Sequence, residues 1–84
     1  MRRYAQMSDD QLVALYASGH NDAFDALLLR YDAYVHTAIR YWISDEELVE
    51  DLFQDVFIKV MMTIRQSRYT AEGKFRSWLG RITH

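Results

Sequence analysis

Glu50-Asp51-Leu52-Phe53-Gln54-Asp55-Val56-Phe57-Ile58-Lys59 is the segment from which the architecture follows, because its two sides make separate demands. At about 3.6 residues per turn, Leu48, Leu52, Val56, Val60 and Ile64 stack in one row, and Val49, Phe53, Phe57 and Met61 stack in the next. Together they predict a wide apolar face that other helices must cover. Asp51, Gln54, Asp55, Ile58 and Met62 keep the i, i+3, i+4, i+7, i+11 spacing of one outward ridge. Asp51 and Asp55 stand one turn apart, a like-charge pair that destabilises an isolated helix by roughly a few tenths of a kcal/mol. A basic partner would turn that small cost into a gain. Acidic helix faces are ordinarily just solvated, however, and on spacing alone the solvated reading is the better one.

Just upstream, Ser44-Asp45-Glu46-Glu47 has the form of a capping box that opens this helix, with acids in the first turn where the helix dipole favours them. The helix should reach about Gln66, since no proline interrupts it. Further toward the N-terminus, Phe24, Leu27, Leu28, Tyr31, Val35, Ala38, Ile39 and Trp42 form one continuous apolar stripe, predicting a long helix capped by Asn21. Before it, Ser8-Asp9-Asp10-Gln11 is a second capping box, opening a short helix over Asp9–Ala17 that Ser18-Gly19 should end. On the C-terminal side, residues 67–73 lose the periodicity and close on Gly73, which predicts a loop. Phe75, Trp78, Leu79 and Ile82 then share one face of a last helix over residues 74–84. The expected fold is all-α: a single compact four-helix domain, with a short first helix, long second and third helices, a loop and a fourth helix. Seven loop residues are too many for a helix-turn-helix, whose turn takes about three or four.

Eighty-four residues without cysteine make one small domain with no covalent staple, and half of them are apolar, enough for a compact core. The start carries Arg2 and Arg3 without an apolar run behind them, and nowhere do 18 apolar residues follow one another. These features predict a cytoplasmic protein without a membrane segment. Catalysis has little to stand on. His20, His36 and His84 are scattered away from metal or triad spacing, and the three glycines are isolated, so no phosphate loop forms. His36, mid-helix beside core positions, should be partly buried or bonded to its surroundings. No catalytic residue, metal site or cofactor is expected.

The charge is split along the chain. Residues 1–64 hold five Arg/Lys against eleven Asp/Glu, whereas residues 65–84 hold Arg65, Arg68, Lys74, Arg76 and Arg81 against Glu72 alone. A body that is acidic and an end that is basic can address partners of opposite sign. Five cations with Tyr69, Phe75 and Trp78 inside seventeen residues combine backbone-tracking charge with flat side chains, the equipment that single-stranded nucleic acid requires. Helical spacing makes Phe75 and Trp78 core residues first. Tyr69, on the loop, is the better candidate for exposure, with Ser67 and Thr70 beside it.

The Asp51-Leu-Phe-Gln54-Asp55-Val-Phe block, followed by Gly73-Lys74-Phe75-Arg76-Ser77-Trp78-Leu79-Gly80-Arg81-Ile82, resembles region 2 of bacterial RNA polymerase sigma factors of the extracytoplasmic-function type. Asp10-Gln-Leu-Val and Asn21-Asp-Ala-Phe-Asp-Ala-Leu resemble the opening of the same domain, so the likeness spans nearly the whole chain. The resemblance implies a transcription initiation factor whose acidic helix docks on the clamp helices of the polymerase largest subunit, at Asp51, Gln54, Asp55 and Ile58. It further implies that the loop and last helix capture the non-template strand of the promoter minus-ten element. Arg65, Ser67, Arg68, Tyr69 and Thr70 would belong to the loop that accepts a flipped base, and Lys74, Arg76 and Arg81 would meet DNA backbone. An anti-sigma factor is a further partner that the resemblance suggests.

Two departures accompany the likeness. Factors of this type continue into a second domain that reads the minus-thirty-five element, and this sequence stops at His84 with its last helix expected to be still running, which reads as a fragment. The aromatic pair with which primary sigma factors wedge the duplex is not evident, Arg81 and Ile82 standing near its place. Opening would then rely on base capture, which ties activity to well-matched promoters. Two other readings stay open from the residues: a helical adaptor that uses the acidic ridge on some other basic coiled coil, and a free-standing single-strand binder.

Overall fold

A computed structural model describes residues 2–83, with side chains for residues 4–83. Its elements are α1 (Arg2–Ala5), α2 (Asp9–Ala17), α3 (Asn21–Arg40), α4 (Glu46–Arg65) and α5 (Phe75–Thr83), and no strand occurs among the described residues. The all-α fold is therefore as expected, with the single turn of α1 added in front. His84, expected in the last helix, lies outside the described residues. No described helix is long and apolar enough to cross a membrane.

The ends of the helices are set by local hydrogen bonds. Ser8 forms the expected capping box, its Oγ accepting from the Gln11 amide at 3.1 Å while Gln11 Oε1 accepts from the Ser8 amide at 2.8 Å. Past α2, Gly19 (φ 110°) donates to the Tyr16 carbonyl and His20 to that of Leu15, the two reverse bonds of a Schellman motif. That motif turns the chain so tightly that His20 becomes the residue before α3. Asn21 then falls inside the helix and caps nothing, contrary to expectation. At α4 the cap is Asp45 instead of Ser44: its carboxylate takes the amides of Glu47 and Leu48, and its charge suits the positive helix end better than a hydroxyl.

The expected stripes form the core. Leu12, Leu27, Val35, Val49, Val60, Phe75 and Leu79 are completely or almost completely buried, and they come from all four longer helices. Two stripe members depart. Trp42 lies beyond the end of α3 and is 69% exposed, because the helix closes at Tyr41 and Ile43 turns back to pack on the core in its place. Leu48 is 41% exposed: in the first turn of α4 it sits about 100° around from Val49, and Val49 takes the core direction.

The core places α4 centrally. Its buried side meets α2, α3 and α5, and its outer side is left to solvent along its whole length. The end of α4 carries a second Schellman motif, with Ser67 donating to Ile64 and Arg68 to Thr63, and here the left-handed position is held by Ser67 (φ 57°) instead of glycine. This turn launches the loop that leads to α5.

Candidate functional site

Along the outer side of α4, Asp51, Gln54, Asp55, Ile58 and Met62 are all exposed, Ile58 and Met62 by about half. They make the single ridge that their spacing predicts. Its C-terminal half borders a shallow groove of about 520 Å³ in which Lys59, Gln66 and Arg68 join Ile58 and Met62. Neither ridge carboxylate enters an ion pair among the described residues, so both remain free to meet a cation from outside. Glu50, one residue off the ridge, is instead paired with His36 of α3.

Beyond the C-terminus of α4, the loop and α5 enclose an open cleft of about 220 Å³ lined by Tyr69, Thr70, Glu72, Lys74, Trp78 and Arg81. Four residues expected to meet nucleic acid, Tyr69, Thr70, Lys74 and Arg81, are thus brought together. The others are not in this cleft. Arg68 lies in the α4 groove, and Arg65 is exposed on the last turn of α4. Ser67 serves the helix-ending turn, and the Arg76 guanidinium lies 4.8 Å over the Tyr34 ring, a cation–π contact that holds it against α3.

Tyr69 corrects the expectation of an exposed loop aromatic. Its ring is half-buried against Trp78 (centroids 5.0 Å apart) and Phe75 (5.7 Å), and its hydroxyl donates to Asp10 Oδ1 at 2.5 Å. Burial above all, then the bond and charge of Asp10, hold this phenol well above its ordinary pKa, so it stays a protonated donor. Trp78 is likewise only partly buried and offers part of its indole to the cleft. Its period marked it as core, and nothing in the sequence showed that part of the ring would be left uncovered beside the loop. A larger apolar groove of about 560 Å³ lies away from the loop, between Trp42, Ile43, Leu52 and Ile82.

Residues 27–84 match the family model described as Sigma-70 region 2. The chain belongs to the sigma-70 region 2 family. Both the α4 ridge and the loop–α5 cleft fall inside the matched residues, whereas α1 and α2 precede them. Over 77 residues the region 2 chain is 31% identical to the RNA polymerase sigma-H factor of Pseudomonas aeruginosa, an alignment covering 92% of this chain and 39% of that protein. The chain therefore spans well under half the length of this curated relative. No solved structure matches it. The match is to the sigma-70 family, a family of transcription initiation factors and not of enzymes; the narrower extracytoplasmic-function type rests on the sequence resemblance.

Proposed function

We propose that this domain confers promoter recognition on RNA polymerase, docking through the α4 ridge on the clamp helices of the largest subunit and holding the non-template strand of the minus-ten element in the loop–α5 cleft. The observation that carries it is one helix with two different ends. Along α4 runs an exposed ridge of two acids with no ion pair among the described residues, an amide and two half-exposed hydrophobes; at its C-terminus begins a loop that helps to build an aromatic, cationic cleft.

Each surface has the chemistry for its partner. A basic coiled coil laid along the ridge would relieve the Asp51–Asp55 repulsion, satisfy the Gln54 amide, and cover Ile58 and Met62 at about 25 cal/mol per Å² of apolar surface. In the cleft, Lys74 and Arg81 supply charge for phosphates, the uncovered part of the Trp78 indole supplies a surface for a base, and Thr70 and Glu72 supply hydrogen-bonding groups for a base edge. Stacking of that kind contributes roughly 1–3 kcal/mol per base, comparable to the cost of drawing a base out of its stack. Arg81 and Ile82 offer no aromatic wedge, so strand opening proceeds by capture. Such a protein works where the polymerase does, in the cytoplasm.

Calorimetric titration of the chain with a clamp-helix fragment of the largest subunit tests the docking step. The wild type should bind saturably, and the Gln54→Ala/Asp55→Ala variant, with helicity unchanged, should bind at least about tenfold more weakly. Equal affinity of the two proteins, or no binding by the folded wild type, would remove the ridge from this role.

A further inference from the structure

Asp10 sits in the first turn of α2, where the helix dipole alone would explain an acid. Its side chain does something the dipole does not require. Oδ1 accepts from the Tyr69 hydroxyl at 2.5 Å and Oδ2 accepts from the Gly73 amide at 2.8 Å, across 59 and 63 residues of sequence. Among the described residues, these are the hydrogen bonds that tie residues 69–73 to the rest of the fold. One carboxylate thereby clips both ends of a three-residue arch, Thr70-Ala71-Glu72, and two members of that arch line the cleft.

The geometry points to Asp10 as the positioning residue that sets the shape of the cleft and hence which base it accepts. This rests on the strand-capture reading above and adds to it a determinant from α2, outside the residues that match the family. The bond to Tyr69 fixes the ring as a wall between Phe75 and Trp78, so it neither swings into the cleft nor leaves it open. The bond to Gly73 fixes the turn into α5 at a left-handed residue (φ 71°), which sets how far Glu72 and Lys74 stand from Trp78. Charge-assisted bonds of this kind are among the stronger ones, and without them three exposed residues would have no fixed arrangement.

The test uses the chain bound to RNA polymerase core. A preferred short single-stranded oligonucleotide is selected with the wild type from a randomised pool, and affinities are then measured for its single-base variants. Asp10→Ala should lower the preference at one position by about tenfold or more while leaving affinity for core unchanged. Asp10→Asn, which keeps one acceptor, and Tyr69→Phe, which keeps the ring and the Gly73 bond, should each lose part of it. A role confined to folding stability would shift the unfolding midpoint and leave these ratios alone. If Asp10→Ala does not fold, Tyr69→Phe with normal helicity decides. Preference retained in the folded variants overturns the role of Asp10 and leaves strand capture standing; a core-bound wild type with no preference at any position overturns both.

Discussion

His36 shows how much one side chain can carry in a domain this small. Its ring stacks on Phe53 at 3.9 Å, Nδ1 faces both the carbonyl and the carboxylate of Asp32, and Nε2 lies 2.8 Å from Glu50, so it joins α3 to α4. All these partners accept hydrogen bonds, so the protonated ring, with both nitrogens donating, satisfies them together and is the form they favour. Burial alone would lower its pKa, but the bonds to Glu50 and Asp32 outweigh it and the net shift is upward. A group whose pKa rises on folding adds stability that is complete below the unfolded value, near 6.5, and is lost as pH climbs through the folded value. The stability lost on His36→Gln should therefore be larger at about pH 6 than at about pH 8.5, measured by urea unfolding at both. An equal loss at both values would mean that the ring is held by stacking alone.

Among the helices, α4 and its two ends do most of what the domain needs. Its inner rows supply core, its outer ridge meets solvent, and its C-terminal turn starts the loop. That turn holds one unfavourable choice, Ser67 at φ 57° where glycine is the usual occupant. A left-handed conformation costs an ordinary residue about 1–2 kcal/mol, and glycine would give back part of the relief as extra freedom in the unfolded chain. Ser67→Gly should accordingly stabilise the domain by about 0.5–1 kcal/mol, visible as a higher urea midpoint with an unchanged slope. A lower midpoint would show that the Ser67 side chain has a compensating contact. The first turn of α2 works in a comparable way, Asp9 holding Tyr31 and Arg30 of α3 while Asp10 holds the loop.

Across the molecule, the distribution of charge matters more than its sum. A net charge of −2 disfavours free association with nucleic acid, yet Lys74 and Arg81 are gathered beside the cleft and Arg68 beside the α4 groove. Docking the acidic ridge on a basic partner would neutralise the repulsive part of the field. Oligonucleotide binding should thus be strong with polymerase core and weak for the isolated chain. In the complex, Lys74→Ala/Arg81→Ala should reduce the slope of log affinity against log salt by roughly 1–1.5, because two phosphates of a single strand would no longer be neutralised. An unchanged slope would place the phosphates elsewhere on the surface. Arg76, held over Tyr34, should contribute less to that slope than either.

Much of what depends on neighbours three or four residues apart was already legible in the chain. The buried and exposed sides of α4, the capping box at Ser8 and the glycine turn after α2 all follow from short-range spacing, because helix geometry converts that spacing directly into a face or a cap. The ridge could be read for the same reason. The cleft could not. Tyr69 meets Asp10 across 59 residues, Arg76 leaves the cleft for Tyr34, and Trp78 lines the cleft with the part of its indole that Tyr69 and Phe75 leave uncovered. Caps moved by one residue where a tight turn or a stronger acceptor intervened, at Asn21 and Ser44. Such pairings belong to the folded molecule, since the partner that satisfies a loop hydroxyl or a guanidinium is chosen by which distant elements the shared core brings within hydrogen-bonding reach.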